Sequence, residues 1–173
     1  MIYTATYSSP IGCLLLAEKN HALCGLWLEN QKYYLSSIQE KMESKEDSKI
    51  LILTKQWLDR YFAGERPDGS LLPLSPVGSE FRRQVWDILL QIPYGETTTY
   101  KAIARQVAAQ KDLPHMSAQA VGGAVGHNPI SIIIPCHRVI GTNGSLTGYA
   151  GGIEKKRWLL EHEGICKKSP RAY

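Results

Sequence analysis

The sequence predicts a two-domain α+β protein (α/β in the broad sense), with a β-rich N-terminal domain and a mainly helical C-terminal domain. Three observations support this fold class. Short β-forming runs alternate with turn residues up to Leu28, a proline-rich passage interrupts residues 67–78, and helical periodicity dominates the remainder of the chain. The length of 173 residues, 43% of them apolar, is ordinary for a globular protein. We place the domains at residues 1–75 and 76–173.

The N-terminal domain is predicted to open with a β-meander. Residues 2–7, 11–17 and 22–28 are rich in β-formers and are separated by turn signals. A helix is predicted to begin within residues 35–42, and the polar run 43–49 is predicted to be a solvated connection. Residues 50–62 predict a stronger helix that Gly64 ends. Its inward face is predicted to carry Ile50, Leu53, Trp57, Leu58 and Tyr61.

The C-terminal domain is predicted to contain four helices. Ser79 is a plausible N-cap of the first, and Ser117 of the third. The second and third helices are short and joined by a turn, which fits a helix-turn-helix whose slender second helix approaches a nucleic-acid groove. Packing of that helix against the domain core fits the pattern equally well. The four helices are predicted at residues 80–92, 100–108, 118–126 and 153–163.

Two adjacent glycines make the third of these helices unusual. Gly122 and Gly123 each cost roughly 1 kcal/mol relative to alanine inside a helix. Stability therefore does not explain them, and we expect another backbone to approach the helix closely at this point.

Charge and cysteine usage narrow the class of protein further. Residues 1–75 carry 8 basic and 9 acidic side chains, whereas residues 76–173 carry 12 and 7, a net of +5 that suits a nucleic-acid partner. The four cysteines lie far apart without metal-site spacing, so free thiols and no metal are expected. They are Cys13, Cys24, Cys136 and Cys166. No leader or membrane-spanning run is apparent, which predicts a cytoplasmic protein, or else a nuclear one, with no membrane partner.

One cysteine has the surroundings of a nucleophile. Cys136 follows an apolar run, residues 130–134, that predicts a short buried strand ending in a turn. His137 is its neighbour and is able to accept a thiol proton near neutral pH. A structural core thiol is the alternative, because cysteine is among the most buried residue types.

Two further features lie downstream. Asn143-Gly144 predicts a tight turn, and the small residues 148–152 form a loop able to lie close to a ligand, or else a bare connector. Glu163 lies at the negative end of the last helix, where a carboxylate is locally unfavourable. From its position alone, Glu163 is either retained for a purpose other than the stability of the helix, or it is a solvated surface residue.

Together these residues resemble the O6-alkylguanine-DNA alkyltransferases. The resemblance is carried by Asn128-Pro129, the run Pro135 to Val139, Tyr149 with Gly151-Gly152, and the run Trp158 to Gly164. It is dense over residues 79–165 and loose before them. It implies a ribonuclease-H-like N-terminal domain and a winged helix-turn-helix-like C-terminal domain that enters the minor groove of double-stranded DNA as a monomer.

The resemblance also implies a suicidal repair activity. An alkylated guanine, with alkylated thymine as a second candidate lesion, is flipped from the duplex, and its alkyl group moves irreversibly to the protein. By position, Cys136 is the acceptor, His137 a base acting through water, and Glu163 the carboxylate that orients His137. Tyr100 assists the departing guanine, and Asn128 braces the turn before the cysteine.

Binding residues are implied by the same resemblance. The implied base pocket consists of Pro135, Val139, Tyr149, Ala150 and Gly151. The implied DNA contacts are Lys101, Ser117, Gln119, Ala120, Gly123 and Arg138.

Two positions depart from the family pattern. The family commonly has an arginine at position 119 that fills the space of the flipped base, and a serine at position 150. Gln119 lacks the positive charge, which puts duplex affinity and extrusion of the base in question but not the cysteine chemistry. Ala150 lacks the hydroxyl and with it a contact to the base. Zinc, held by some N-terminal domains of the family, is not supported by Cys13, His21 and Cys24.

Three other functions compete with alkyl transfer. A lesion-binding relative without activity replaces the acceptor cysteine, which this chain keeps. A cysteine hydrolase with a Cys-His-Glu arrangement turns over many times on an ester or peptide. A helix-turn-helix regulator that senses alkylation requires sequence-specific binding.

Overall fold

The computed structural model describes residues 1–146 and 148–165, so Cys166, predicted to be a free thiol, lies outside the described residues. These residues form two compact units. The N-terminal unit comprises residues 1–77 together with 129–133, and the C-terminal unit comprises residues 78–128 and those from 134 onward. No helix among the described residues is long and apolar enough to cross a membrane.

The N-terminal unit is built on a sheet in the order β3-β2-β1-β4. The predicted meander is confirmed, since β1 (Ile2–Ser9), β2 (Gly12–Lys19) and β3 (Ala22–Leu28) pair antiparallel in sequence. Gly25 in β3 is required by packing, because a Cβ there would meet the Trp27 ring at 2.0 Å.

The helix predicted within residues 35–42 is wrong. Successive turns occupy residues 32–37, and Leu35 has a φ of +58°, which a right-handed helix does not allow. Leu35 and Ile38 nevertheless pack on the core. Their i, i+3 spacing suits turns as well as a helix, which explains the error. The solvated connection was only partly correct, because β4 (Met42–Ser44) pairs parallel with β1, although its residues are exposed.

Helix α1 (Lys49–Phe62) confirms the predicted N-terminal helix, and Gly64 follows it with a φ of +91°. Its inward face is rotated from the prediction. Leu53 is 36% exposed, whereas Leu51 and Thr54 are fully buried. The Thr54 hydroxyl donates to Ile50 O at 2.8 Å, which satisfies it within the core.

Four helices in the C-terminal unit match the predicted positions. They are α2 (Glu80–Leu89), α3 (Tyr100–Gln110), α4 (Ala118–Gly126) and α5 (Ile153–His162). Ser79 and Ser117 cap α2 and α4, as predicted, by accepting hydrogen bonds from Arg82 N and Ala120 N. Thr99 caps α3 in the same way. The buried residues of α4 are Val121, Ala124 and Val125, so one side of this helix faces its own core.

The strand predicted at residues 130–134 is wrong, although these residues are buried. Only Ile130 makes a β-bridge, with Leu26 of β3. Ile132 has a φ of +72°, and Ile133 N donates to Ser131 O at 2.8 Å, which is a γ-turn. An apolar run predicts burial, but it does not reveal a reversal of the backbone.

Candidate active site and nucleic-acid surface

Two short strands bring the candidate cysteine and a tyrosine together. β5 (Thr98–Thr99) pairs parallel with β6 (Val139–Ile140). β6 follows directly after the 3₁₀ turn Cys136–Arg138, and β5 ends directly before Tyr100. Burial, followed by the charge of Cys136, raises the pKa of Tyr100 to about 12. The phenol therefore stays protonated at neutral pH and is able to donate a hydrogen bond.

Cys136 lies in a closed environment, with 4% of its surface exposed. Burial raises the pKa of its thiol, while a hydrogen bond with Asn128 and the charge of Lys156 oppose that rise. Asn128 also donates from Nδ2 to Ile134 O at 2.8 Å, which fixes the turn before the cysteine. The backbone closes a second γ-turn there, since Cys136 N donates to Ile134 O at 2.8 Å. The thiol therefore needs a proton acceptor before it can act as a nucleophile.

A fully buried imidazole follows the cysteine and is paired with a carboxylate. His137 Nε2 lies 2.5 Å from Glu163 Oε2. Burial lowers the pKa of His137 despite this partner, so the imidazole is neutral at pH 7. The carboxylate accepts a hydrogen bond from the protonated Nε2. Nδ1 of the neutral imidazole therefore carries no proton and presents its lone pair. Within the described residues Nδ1 has no hydrogen-bond partner. A neutral His137 is thus available as a base at Nδ1.

Glu163 is buried, so the solvated surface interpretation is wrong. It is 5% exposed and forms the C-cap of α5. Its Oε1 accepts from Arg138 Nε at 2.8 Å and from Gly95 N at 3.3 Å. Burial favours the neutral acid, but hydrogen bonds from His137 and Arg138 outweigh it and hold the pKa of Glu163 well below its usual range. The carboxylate is therefore charged and oriented toward His137.

Arg138, predicted to contact DNA, is buried and bonded within the protein. Only 9% of this residue is exposed, and its guanidinium binds Glu163 through two nitrogens and donates from Nη1 to Ile92 O at 2.7 Å. Such a fork compensates a buried carboxylate. Arg138 belongs to the interior of the site.

A buried lysine was missed by the sequence analysis. Lys156 is fully buried in α5, and its Nζ donates to Val139 O at 2.6 Å and lies 5.9 Å from the Tyr100 ring centroid. Burial lowers the pKa of Lys156 to about 8, and the charge of Cys136 opposes that shift. The available signal was helical spacing, because Lys156 lies three, four and seven residues before Leu159, Leu160 and Glu163.

The predicted pocket residues divide into two groups by burial. Pro135 and Val139 are buried beside Cys136, and Tyr149 is 9% exposed. Ala150 and Gly151 are only partly buried, in the loop before α5. That loop approaches Tyr100 at another position, since a Cβ on Gly148 would lie 3.2 Å from the Tyr100 hydroxyl. Tyr100 therefore leaves little room at this point for any side chain on the loop.

The predicted DNA-contacting residues on α4 form an exposed surface, which we call the α4 face. It consists of Ser117, Gln119, Ala120 and Gly123. A Cβ on Gly123 would meet nothing within 4 Å, and one on Gly122 would make only an ordinary contact of 3.9 Å with Tyr100. The backbone approach expected at these glycines is therefore absent from the described residues. Lys101 on α3 is exposed as well.

The three described cysteines, Cys13, Cys24 and Cys136, are free thiols. Across residues 1–146 and 148–165 no group of three or more histidine, cysteine or acidic side chains is arranged to hold a metal ion.

Comparison with known proteins assigns the chain to a family. Residues 80–165 match the DNA-binding domain of 6-O-methylguanine DNA methyltransferase, and residues 2–76 match its ribonuclease-like domain. A methylated-DNA-protein-cysteine methyltransferase of Haemophilus influenzae is 38% identical over 95% of this chain and 87% of the relative. One of Methanosarcina acetivorans is 42% identical over 95% and 100%.

The fold agrees with that assignment. A crystal structure of Mycobacterium tuberculosis OGT in complex with DNA is similar with a TM-score of 0.80 and 42% identity, covering 93% of this chain and 92% of that one. The chain therefore belongs to the 6-O-methylguanine DNA methyltransferase family.

Proposed function

We propose that this protein repairs DNA by transferring an alkyl group from O6 of guanine to its own Cys136. One observation carries the proposal. In a chain of this family, the buried thiol of Cys136 is followed by the neutral imidazole of His137, whose Nε2 is held by the charged carboxylate of Glu163. This arrangement suits removal of one proton from a thiol and displacement at a saturated carbon.

The transfer step balances without a cofactor. The Cys136 proton passes through a water to His137 Nδ1, and the thiolate sulfur attacks the alkyl carbon. The bond from that carbon to guanine O6 breaks, and the electron pair stays with the guanine. Tyr100, whose pKa is raised to about 12, donates a hydrogen bond to a ring nitrogen of the leaving base. The product is a thioether that water does not hydrolyse, so each chain reacts once.

Glu163, Lys156 and Asn128 support the step without touching the alkyl carbon. Glu163 fixes the His137 tautomer through the 2.5 Å contact. Asn128 holds Ile134 O and thereby the turn before Cys136. Lys156 holds the carbonyl of Val139, one of the groups proposed to line the base pocket together with Pro135, Tyr149, Ala150 and Gly151.

The DNA partner is proposed to bind along the α4 face. The open space beside Gly123 and the short side chains of Ser117 and Ala120 allow a minor groove to approach the helix backbone closely. Gln119 is placed to occupy the gap that a flipped base leaves. Lys101 supplies an exposed cation for a phosphate. Each lesion needs one acceptor thiol, which is consistent with a monomer acting alone.

Intact-protein mass spectrometry tests this function. The protein is incubated with excess duplex that carries one O6-methylguanine, and we expect one methyl group per chain, mapped to the Cys136 peptide. Cys136→Ser is expected to take up none, while Cys24→Ser, which removes another buried thiol, behaves as wild type. Repeated turnover, or a methyl group on another residue with Cys136→Ser still active, contradicts the proposal.

A further inference from the structure

The segment that precedes the acceptor cysteine belongs to the N-terminal unit. Residues 129–133 belong to this unit, and residues 129–131 pair alongside the edge strand β3, because Leu26 N donates to Pro129 O at 2.9 Å and Ser131 N donates to Leu26 O at 3.0 Å. Ile130, between these two contacts, is fully buried. The backbone is thus anchored to the sheet up to Ser131.

The backbone is strained immediately after that anchor. Ile132 is a β-branched residue with a φ of +72°, a conformation that L side chains rarely adopt. Its γ-turn reverses the chain, and a second γ-turn centred on Pro135 leads into Cys136. Strained backbone of this kind persists only where surrounding contacts over-determine it. Ser131 directly precedes Ile132, so contacts at Ser131 are among those that hold this turn.

A glutamine supplies a side-chain contact at that point. Gln31 is 5% exposed, and its Oε1 accepts from Leu28 N at 2.8 Å and from the Ser131 hydroxyl at 3.3 Å. Ser131 is itself only 3% exposed. One buried oxygen thus joins the end of β3 to the start of the strained turn. Removal of the oxygen leaves two buried donors without this acceptor.

We propose that Gln31 is a positioning residue for alkyl transfer, acting through Ser131 and the strained turn to hold Cys136 in line with the alkyl carbon. The inference rests on the proposed function of Cys136. In-line displacement is sensitive to small misplacements of the nucleophile, so loosening of the turn reduces the rate of transfer. The α4 face has no part in this contact, so affinity for DNA is independent of it.

The test uses the full chain and a duplex with one O6-methylguanine. Single-turnover rates at saturating protein, duplex affinity and melting temperature are measured for Gln31→Met, Ser131→Ala and the double variant. We expect each single change to slow transfer about tenfold with unchanged affinity, and the double variant to be no slower than either. Ser48→Ala is the matched control, because it removes another buried hydroxyl contact of the same unit, to Glu18 at 3.1 Å. It is expected to lower the melting temperature and leave the rate unchanged.

Several outcomes overturn the proposal. The first is a wild-type transfer rate in Gln31→Met and Ser131→Ala. The second is a double variant whose loss of rate is the product of the two single losses. The third is a Ser48→Ala variant that slows transfer as much as the other two substitutions. The methyl count of the wild type separates this failure from failure of the proposed function. If wild type takes up no methyl group, the proposed function fails; if it takes up one and Gln31→Met is equally fast, only the positioning role fails.

Discussion

The interior around Cys136 and the exposed α4 face belong to the same unit but differ in their content of charged side chains. The interior gathers a thiol, an imidazole, a carboxylate, a guanidinium and an ammonium, all buried. Glu163 lies 2.5 Å from His137 and 2.8 Å from Arg138, and Lys156 Nζ lies 2.6 Å from the backbone oxygen of Val139. The α4 face carries no charged side chain between Ser117 and Gly126. Chemistry that moves one proton needs preorganised charge, whereas close approach to a groove needs an absence of bulk. Changes in the two regions should therefore have separable effects.

Glu163→Gln is expected to have the largest effect. The amide cannot hold the His137 tautomer as a charged carboxylate does, so we expect single-turnover transfer to slow about a hundredfold with duplex affinity unchanged. Rapid quench of a labelled duplex and equilibrium binding measure the two quantities. Glu161→Gln removes the same charge from α5 without touching the cluster, and is expected to match wild type. Equal rates in Glu163→Gln and wild type would reduce Glu163 to a structural role.

Ionisation of the Glu163 carboxylate is expected to make the free energy of unfolding depend on pH. The pKa of Glu163 is depressed in the folded state, so its contribution is fully present above the unfolded pKa of about 4 and is lost as pH falls toward the folded value. We expect urea unfolding to show wild type more stable than Glu163→Gln by about 3 kcal/mol at pH 7. The difference should shrink below pH ~4. A difference independent of pH would argue against an ionised Glu163.

Lys156→Met is expected to lower the reactivity of the Cys136 thiol. The ammonium favours the Cys136 thiolate, and burial lowers the pKa of Lys156 to about 8. Iodoacetamide should therefore modify Cys136 about tenfold more slowly in the variant below pH ~8, with the ratio shrinking at higher pH as Lys156 loses its proton. Lys155→Met is the matched control on the same helix. A ratio that stays constant between about pH 6 and about pH 10 would exclude a charge effect of Lys156.

Duplex binding is expected to depend on exposed rather than buried cations. Affinity should fall with rising salt, and Lys101→Ala should reduce the slope of log affinity against log salt by about 1 through loss of one phosphate contact. Fluorescence anisotropy over a salt series measures this slope. Lys32→Ala, an exposed lysine in the N-terminal unit, is expected to leave it unchanged. Salt-independent binding would count against duplex DNA as the partner.

Gln119→Arg is expected to have the smallest effect. An arginine at the exposed start of α4 adds attraction to the phosphates and to the electronegative groove, of the order of 1 kcal/mol. Duplex affinity should tighten about fivefold. Gln106→Arg adds the same charge to α3 and controls for non-specific attraction. An equal gain from both substitutions would mean that position 119 has no special relation to the groove.

Much of the fold was predictable because local signals agree with it. Caps at Ser79 and Ser117 mark helix starts, and alternating β-forming runs mark β1 to β3. Residues 35–42 and 130–134 were not predictable, because apolar spacing reports burial but not a φ of +58° at Leu35 or +72° at Ile132. In both places tertiary contacts hold a conformation that local preference disfavours.

The site was predictable only in part, for an electrostatic reason. The resemblance proposed Cys136, His137 and Glu163, of which the structure brings His137 and Glu163 into contact, but it also placed Arg138 at the DNA surface and gave no role to Lys156. Arginine and lysine are ordinarily exposed, and only the carboxylate and carbonyl that they meet in the fold make their burial favourable. A sequence does not show which acceptors a distant helix will supply.

The most direct test of the separation between the two regions compares two substrates. Transfer rates are measured for wild type, Glu163→Gln and Gln119→Arg, with free O6-benzylguanine and with a subsaturating duplex that carries O6-methylguanine. A free base needs no extrusion from the stack, so it reports the interior alone. We predict that Glu163→Gln slows both reactions by the same factor, and that Gln119→Arg accelerates only the duplex reaction. Equal acceleration of both substrates by Gln119→Arg would show that the α4 face acts on the chemistry itself, and would contradict the separation of the two regions.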